Sequence, residues 1–431
     1  MLDINFIREN KEVVDRAQKL KKVKKIVNLD ELLSLHEDRK SLSQKRDELN
    51  AQKNTAAKER NIEEGTRIKA EVQAVEAQYN EVEKKYIAMM LSLPNVFSPD
   101  TPEGKDDTEN KVIRNWGVKP AFDFEPKEHF VLGEALGVID KETAGEVSGS
   151  RFGYLKGDLA LLQFALIQFC LSTLTDQKKI DHIVKKLGLD INPKAFVAVV
   201  PPVMVKTAVY NRMARLEPSD DKYKIEGEDL WLTGSAEHSL GPMYMDTMLE
   251  EEALPIRMIG YSTAFRKEAG TYGKDTNGIL RMHQFDKLEM ETFSLPEYSI
   301  QEQDLMVGIQ EYLMQSLKLP YQVVAICTGD MGIPDYRQMD IETWMPGQNK
   351  YRETHTSDLM TSFQSRRLNT KVKRVDGGKD FVHMNDATAF AIGRTLIAIM
   401  ENYQQADGTV KIPEVLQPFM GGKTEIGKIV V

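Results

Sequence analysis

Phe-Arg-Lys-Glu-Ala-Gly at residues 265–270 and Gly-Ile-Leu-Arg-Met-His-Gln-Phe at residues 278–285 are the two ends of one predicted β-hairpin. Alternating apolar residues lead into the first segment from Ile256 and out of the second as far as Phe293, and the residues between the segments are rich in turn formers. The hairpin carries two arginines, a carboxylate and an aromatic ring. Arginine bonds phosphate through a planar fork and keeps its charge, so a nucleotide site is predicted here.

This pair of segments resembles a known motif. Arg-x-Glu, a loop, and then Gly-x-x-Arg-x-His-Gln-Phe are similar to motif 2 of the class II aminoacyl-tRNA synthetases, in the form carried by seryl-tRNA synthetases. An exposed, salt-bridged hairpin would explain a lone Arg-x-Glu but not a match of this length. The resemblance implies an α+β fold: an antiparallel β-sheet catalytic domain flanked by helices, preceded by an N-terminal antiparallel coiled-coil helical arm. Periodicity alone indicates only mixed strands and helices.

Length and composition indicate a two-domain globular protein. The chain has 431 residues, of which 41% are hydrophobic and 29% charged, and it contains no run of about 18 apolar residues. The N-terminus, Met-Leu-Asp-Ile-Asn, lacks the basic and apolar regions of a signal peptide. We therefore expect a cytoplasmic protein without a membrane partner.

Charge and cysteine content exclude two further classes. A net charge of −9 argues against a general nucleic-acid-binding protein, although a slight basic excess in residues 1–92 is compatible with a local binding surface. Cys170 and Cys327 lie in apolar runs without ligand spacing. Neither a disulfide framework nor a zinc site is predicted.

The N-terminal region predicts a helical hairpin. From Ile68 to Met89 apolar residues recur at alternating spacings of four and three, and another set recurs at sevens from Leu35 to Ala56. Asn61 and Gly65 mark a break between two helices of about 30 residues, each roughly 45 Å long. Such a hairpin is by itself an interaction or oligomerisation device. Ahead of motif 2 it resembles the arm with which seryl-tRNA synthetases bind their tRNA.

The predicted domains are therefore a tRNA-binding arm at residues 1–100 and a catalytic domain at residues 101–431. Residues 94–130, rich in Pro, Asp and Gly, predict a linker packed along the catalytic domain, and residues 175–196 resemble an insertion that forms a surface helix. The strand from Phe196 to Val200, followed by two prolines, resembles motif 1. That motif closes the dimer interface in this class, so the resemblance implies a homodimer, whereas the prolines alone indicate only that strand pairing stops.

A serine-binding site is implied around residues 233–237, Thr-Gly-Ser-Ala-Glu, which lie where the family has a Thr-x-Glu signature. Ser235 keeps the hydroxyl of that threonine and loses its methyl group. Glu289 matches a serine-contacting carboxylate, which would otherwise be read as a charge on a strand surface. The implied serine set is Ser235, Ala236, Glu237, Arg266, Glu289 and Thr388.

An ATP site is implied by two further segments. Residues 351–356, Tyr-Arg-Glu-Thr-His-Thr, resemble the family's Arg-Glu-Ile-Ser-Ser, and residues 383–394 resemble motif 3. Residues 357–361 depart from the usual Cys-Ser-Asn pattern. His355 has no partner spaced for a catalytic base, which favours a structural role for its side chain. The implied ATP set is Arg266, Lys267, Glu268, Arg281, Met282, Phe285, Glu353, Thr354, His355, Thr356 and Arg394.

These sets imply the reaction of a serine–tRNA ligase: activation of L-serine by ATP to seryl-adenylate, then transfer to the 3′ end of tRNA(Ser), with tRNA(Sec) an open second acceptor. Arg266, Arg394 and Glu353 are the implied catalytic residues, with Mg²⁺ on Glu353 and no zinc. The sequence has neither a P-loop nor a Gly-x-Gly-x-x-Gly fingerprint.

Two alternatives stay open at this point: a synthetase-like ligase that loads a carrier protein, and a non-catalytic paralogue. The N-terminal arm argues against the carrier-protein ligase. The retained ATP residues argue against the paralogue, whereas Ser235 and the departure at 357–361 favour one or the other.

Overall fold

The structure is a computed structural model that describes residues 1–268 and 277–429. The turn predicted at Gly270, Gly273 and Asp275 lies outside the described residues. Contacts within the chain define two compact units, residues 1–97 and 98–431.

The first unit is helical. Its helices are α1 (Ile4–Glu9), α2 (Lys11–Leu20), α3 (Leu29–Lys58) and α4 (Ile62–Ser92). Asn28 and Asn61 begin the two long helices, because their side-chain oxygens accept backbone N–H groups of the first turn. Gly65 lies inside α4 and not in the break where the sequence placed it. Its position in the first turn, beside the Asn61 cap, explains why it is tolerated there.

The helices α3 and α4 pack antiparallel through the predicted apolar seam. Its buried residues are Leu49, Ala56, Ile68, Val72 and Val75. Long charged side chains cover the seam from outside. The guanidinium of Arg46 lies 5.0 Å from the ring centre of Tyr79, and Arg39 forms an ion pair with Glu83. The hairpin is thus held by a narrow line of apolar contacts flanked by charge.

The second unit combines helices with several sheets. Its helices are α5 (His129–Leu136), α6 (Glu142–Ser148), α7 (Gly157–Leu174), α8 (Gln177–Leu187), α9 (Thr207–Arg212), α10 (Glu237–Leu240), α11 (Ser299–Ser316), α12 (Phe363–Leu368) and α13 (Ile392–Asn402). Its strands are β1 (Lys111–Trp116), β2 (Ile139–Asp140), β3 (Tyr154–Leu155), β4 (Val197–Val199), β5 (Met204–Lys206), β6 (Leu230–Leu232), β7 (Met248–Glu250), β8 (Ile256–Phe265), β9 (Gln284–Ser294), β10 (Tyr321–Ala325), β11 (Arg337–Met345), β12 (Lys350–Thr361), β13 (Lys371–Lys373), β14 (Lys379–Phe381), β15 (His383–Ala391), β16 (Val410–Lys411) and β17 (Glu425–Ile426).

The central sheet has eight strands in the order β1-β10-β11-β12-β15-β9-β8-β4. All neighbours are antiparallel except β4 and β8. The predicted hairpin is the pair β8 and β9, in register from Ile256 opposite Phe293 to Phe265 opposite Gln284. The linker predicted at residues 94–130 is only partly a linker, because β1 within it forms an edge strand. All six of its residues are exposed, so no apolar alternation marked it.

Helices cover one face of the sheet. Among them, α7 is long and apolar enough to span a bilayer, with a mean hydropathy of 1.5, but half of it is buried inside the unit. Its buried residues join the sheet in the main core, which identifies it as a core helix. The predicted surface helix in residues 175–196 is α8, which buries Ile180, Ile183 and Val184 and exposes its lysines.

Another helix of this face, α11, packs across β12 and β15 at the point where their pairing ends, at Ser357 opposite Ala387. The side-chain amide of Gln310 donates to the carbonyls of Thr356 and Thr388, at 2.9 and 2.8 Å. The two strands can therefore separate beyond this point without leaving those carbonyls unpaired.

Candidate active site

A pocket lies on the sheet face opposite the covering helices. Alternation along β9 sets up this arrangement, because successive side chains of a strand point to opposite faces. Leu288 and Met290 join the helix-covered core, whereas Lys287 and Glu289 line the pocket. The same strand thus supplies apolar residues to the core and charged ones to the site.

A β-bulge in β12 decides which of its residues enter the pocket. Asp340 pairs with Thr356, but Glu342 pairs with Glu353, so Thr354 is an extra residue in the strand. The bulge places Glu353 and Thr356 on the same face and turns His355 to the other. The buried His355 ring lies 5.9 Å from the ring of Phe390 in the core. Burial lowers the pKa of His355 to about 3, so the imidazole is neutral at pH 7.

Arg394 comes from the first turn of α13, directly after β15. Its Nη1 donates to the backbone carbonyl of Glu353 at 2.9 Å and to the Glu353 carboxylate at 2.7 Å. One side of the pocket therefore holds a fixed guanidinium beside a half-exposed carboxylate.

Arg266 enters the pocket from the end of β8. Its Nε donates to the carbonyl of Gly234 at 3.0 Å, and its guanidinium lies 5.4 Å from the ring centre of Phe285. On the returning arm Arg281 pairs with Glu268 at 3.2 Å. Gly278 starts this arm with a φ of +70°, and a Cβ there would lie 1.9 Å from His129, so only glycine fits.

The floor of the pocket is a hydrogen-bonded group around Glu289, which is 1% exposed. The Ser235 hydroxyl donates to Glu289 at 3.1 Å, and the Lys287 ammonium lies 2.5 Å from the same carboxylate. Lys287 also donates to the Ser235 hydroxyl at 3.3 Å. Burial raises the pKa of Glu289 in spite of Lys287. Two hydroxyl groups and one ammonium thus surround this carboxylate, since Thr388 lies 3.5 Å away.

Glu237 forms the other half of the floor. Its carboxylate lies 3.0 Å from Nε of Arg215 and 3.3 Å from Nε2 of His238. The Nδ1 of His238 accepts the backbone N–H of Gly234 at 3.1 Å, which assigns the proton to Nε2. Burial would raise the pKa of Glu237, but Arg215 and then His238 lower it well below its ordinary value. Glu237 is therefore ionised at pH 7.

Most of the predicted site residues meet in this pocket. The predicted residues that line it are Glu237, Arg266, Glu268, Met282, Phe285, Glu289, Glu353, Thr354, Thr356, Thr388 and Arg394.

The other predicted residues lie around it. Ser235 and Ala236 are buried beneath the pocket lining, where the Ser235 hydroxyl donates to Glu289. Arg281 lines an adjoining cavity, Lys267 lies exposed beside the ring of Tyr223, and His355 faces the core.

Four charged pocket residues were not predicted: Arg215, Lys287, Asp358 and Asp386. Lys287 could have been found, because it lies two residues before Glu289 on the same strand and so faces the same side. Nothing in the sequence connects Arg215, which lies in the loop after α9, to strands that follow much later in the chain.

Carboxylate oxygens gather in two places among the described residues. Those of Glu237, Glu289 and Asp386 lie within 4.8 Å of one another, but Arg215 and Lys287 already pair with them. In the adjoining cavity Asp340 lies with Glu353, and its buried Oδ1 has no hydrogen-bond partner. Carboxylates are the ligands that magnesium prefers, whereas zinc prefers thiolate and imidazole groups.

Comparison with known proteins links both units to one group of enzymes. Residues 1–97 match the family model of the seryl-tRNA synthetase N-terminal domain, and residues 222–403 match the tRNA synthetase class II core domain (G, H, P, S and T). A serine–tRNA ligase of Thermodesulfovibrio yellowstonii is 38% identical, covering 98% of this chain and 99% of its own. One from Wolbachia pipientis is also 38% identical, covering 99% and 100%.

Solved structures agree with these matches. The seryl-tRNA synthetase of Pyrococcus horikoshii, complexed with ATP, superposes with a TM-score of 0.88 at 36% identity over 100% of both chains. The cytoplasmic serine–tRNA ligase of Naegleria fowleri, in complex with AMP, superposes with a TM-score of 0.85 at 29% identity, covering 100% of this chain and 99% of its own.

Proposed function

Because the chain belongs to the seryl-tRNA synthetase family and is a serine–tRNA ligase, we propose that the pocket on its central sheet carries out both steps of that reaction. The family, the α+β fold and the aminoacyl-tRNA ligase activity predicted from the sequence are confirmed by the comparisons. The observation that supports the proposed site is the convergence of Arg266, Arg394 and Phe285 on a floor built by Glu237 and Glu289.

In the first step ATP and L-serine react in this pocket. The serine carboxylate attacks the α-phosphorus, the bond to the β-phosphate oxygen breaks, and pyrophosphate leaves. Arg266 binds the α-phosphate and the serine carboxylate, Arg394 binds the γ-phosphate, and Phe285 stacks on adenine. Glu268 accepts a hydrogen bond from the adenine amino group. Its ion pair with Arg281 holds the Glu268 carboxylate in position for this contact. Positioning and charge stabilisation supply the catalysis.

Serine is selected by the pocket floor. The ionised Glu237 binds the ammonium group, and Glu289 accepts a hydrogen bond from the serine hydroxyl, with Ser235 and Thr388 beside it. Alanine lacks that hydroxyl and would leave the buried Glu289 without this partner. A site built in this way disfavours such an analogue strongly.

Magnesium bound with ATP fits the residues present, and Glu353, with Asp340 nearby, would hold it. When bound, the ion would neutralise charge on the phosphates. We propose no zinc, since the carboxylates of Glu353 and Asp340 suit magnesium and the two cysteines are free, buried thiols.

In the second step the terminal hydroxyl of tRNA(Ser) attacks the carbonyl carbon of seryl-adenylate, and AMP leaves. We assign tRNA recognition to the arm, residues 1–100, and catalysis to residues 101–431. The exposed charged surface of α3 and α4 supports this division, because the side chains that face away from the seam between these two helices are left for a partner.

The proposed assembly is a cytoplasmic homodimer that does not involve a membrane. Its interface would use β4, the last strand in the sheet order. Apolar side chains are exposed on this strand and on α7: Val197 at 60%, Phe164 at 56% and Leu161 at 50%. Exposed apolar residues near a free strand edge are typical of a protein interface. Light scattering of the purified chain would measure the mass directly.

The test of the proposed function is charging of purified tRNA with labelled serine by the full chain. We expect label on tRNA(Ser), dependent on ATP, with one AMP and one pyrophosphate released per serine attached. Label on a carrier protein in place of tRNA would favour the carrier-protein ligase. No ATP-dependent label on either acceptor would favour the non-catalytic paralogue.

A further inference from the structure

Arg215 lies in a loop that is fixed on both sides. Before it, Met213 is fully buried, and after it Leu216 is 6% exposed. Ala214 has a φ of +58°, a left-handed conformation that is uncommon for a residue with a Cβ and that turns the chain between these two anchors. The Arg215 side chain, only 17% exposed, is thereby directed into the pocket.

The guanidinium of Arg215 joins carboxylates from separate parts of the fold. Its Nε lies 3.0 Å from Glu237. Its Nη2 lies 3.2 Å from Asp386 on β15 and 3.4 Å from Asp358 on β12, with Asp335 at 3.7 Å. Burial lowers the pKa of Arg215, but these carboxylates, Glu237 first, raise it well above its ordinary value. One permanently charged fork thus holds the Glu237 carboxylate against the sheet.

Glu237 faces many other charges, so its ionisation is not assured without Arg215. Burial raises the pKa of Asp386 well above its ordinary value, and Glu237 raises it further. The two carboxylate oxygens of Glu291 are buried without hydrogen-bond partners. Burial, Asp386 and Glu237 likewise raise the pKa of Glu291 well above its ordinary value. The charged or titratable groups around Glu237, from α9 and the loop after it and from α10, β9, β12 and β15, are Tyr210, Arg215, His238, Lys287, Glu289, Glu291, Asp358 and Asp386.

We propose that Arg215 is a positioning residue for amino-acid binding: through its fork it holds Glu237 ionised and in place for the ammonium group of serine. Arg215 does not contact serine in this account. The proposal rests on the proposed function, because it takes the ligand of Glu237 to be serine. It predicts that loss of Arg215 weakens serine binding without weakening ATP binding.

A purely structural role must be separated from this one. Removing Arg215 alone would leave Asp358 and Asp386 as uncompensated buried acids, and the protein could then fail to fold for that reason. The decisive comparison is therefore the triple variant Arg215→Met, Asp358→Asn, Asp386→Asn against the double variant Asp358→Asn, Asp386→Asn. Both lack the two aspartates and differ only in Arg215.

The measurement is serine-dependent exchange of pyrophosphate into ATP, with folding checked by thermal unfolding. We expect the KM for serine to rise at least ~10-fold from the double to the triple variant, as for loss of a buried ion pair that orients the Glu237 carboxylate. The KM for ATP should stay within about twofold, because Arg215 lies on the serine side of the pocket. Equal serine KM values in the two variants would overturn the proposal.

The pH profile gives a readout that a structural role would not move. Glu237 must be ionised to bind an ammonium group, and loss of the neighbouring cation raises its pKa. The acid limb of kcat/KM for serine should therefore move to higher pH in the triple variant than in the double variant. Identical acid limbs in the double and triple variants would contradict the role assigned to Arg215.

Two further variants complete the design. If the triple variant does not fold, Arg215→Lys decides: lysine keeps the charge without the fork, so a raised serine KM supports positioning and an unchanged one overturns it. Arg257→Met is the matched control, since Arg257 is a buried arginine paired with Glu302 outside the pocket. It should lower stability and leave the serine KM unchanged. Absence of serine-dependent exchange in the unmodified chain would instead reject the proposed function itself.

Discussion

The helical hairpin and the pocket use the same ion pairs in different surroundings. In the hairpin Arg67 pairs with Glu64 and Glu71 while 58% of its side chain is exposed. In the pocket Arg215 is 17% exposed among four carboxylates. Water screens the exposed pairs, so they contribute little to stability, whereas buried charges set one another's ionisation.

This difference predicts that the pocket and the hairpin serve separate steps, which mutation can test. Changes in the pocket should affect serine activation and leave the hairpin folded. Changes in the hairpin should weaken tRNA binding and leave serine activation intact.

The largest effect is expected for Arg266→Ala. This change removes the guanidinium assigned to the α-phosphate, and loss of an arginine that stabilises phosphoryl transfer lowers rates by ~10³–10⁵. Pyrophosphate exchange should fall by about that factor, while circular dichroism shows intact helices. Arg67→Ala, on the exposed surface of the hairpin, is the control, and its rate of pyrophosphate exchange should equal that of the unmodified chain. An active Arg266→Ala enzyme would show that the phosphates bind elsewhere.

Deletion of residues 29–92, with the ends joined by a short flexible linker, is the complementary change. We expect serine-dependent pyrophosphate exchange to persist and kcat/KM for tRNA to fall on the order of 100-fold, because phosphate contacts dominate nucleic-acid affinity. Aminoacylation with an unchanged tRNA KM would show that the arm does not bind tRNA.

A single buried residue of the hairpin should have a smaller effect of the same kind. Ile68 is 2% exposed in the apolar seam, and Ile68→Ala should destabilise the hairpin by ~2–4 kcal/mol. Hydrogen exchange of α3 and α4 would report the loosening, and the tRNA KM should rise. Ile62→Ala is the control, since Ile62 is 83% exposed. If hydrogen exchange of α3 and α4 were the same in both variants, the apolar seam would not hold the hairpin together.

His355 predicts a pH dependence of stability. Its folded pKa of about 3 lies below the ordinary 6.5, so between these values the unfolded chain binds more protons. The stability associated with neutral His355 is therefore complete above pH 6.5 and is lost as pH falls from 6.5 toward 3. His355→Phe should flatten the slope of unfolding free energy by about 1.4 kcal/mol per pH unit in that window.

Denaturant unfolding at pH 6, 5 and 4 measures this slope. The exposed His182 gives the control variant His182→Phe, which should keep the slope of the unmodified chain. Parallel curves for His355→Phe and the unmodified chain would contradict the burial of a neutral imidazole.

The smallest effect is expected for Ser235→Thr, which adds one methyl group at the pocket floor. A methyl group in a binding site is worth ~1–3 kcal/mol of discrimination. Rejection of threonine should therefore improve by about tenfold while serine activation changes less. Ratios of kcat/KM from pyrophosphate exchange measure this, and an unchanged ratio would show that the methyl group does not reach the amino acid.

The sequence predicted the features that depend on local pattern. Heptad spacing predicted α3 and α4, and alternation predicted β8 and β9 around the motif residues. The exposed strand β1 was missed, because it has no apolar alternation and is held by pairing with β10. Pattern therefore predicts an element only where one of its faces is buried.

In the pocket, resemblance predicted Arg266, Glu353 and Arg394 but not their surroundings. The departure at residues 357–361 was visible in the sequence, and the structure places Asp358 from that segment against Arg215. The bulge at Thr354 was equally hidden, although it decides that His355 leaves the pocket. Contacts between distant loops and single-residue register shifts depend on the folded chain as a whole.

The central claim, that the pocket activates serine, is tested most directly by pyrophosphate exchange into ATP with each of the twenty amino acids in turn. We predict exchange with serine well above that with every other amino acid. Exchange with glycine or alanine in place of serine, or exchange with none of the twenty, would contradict it.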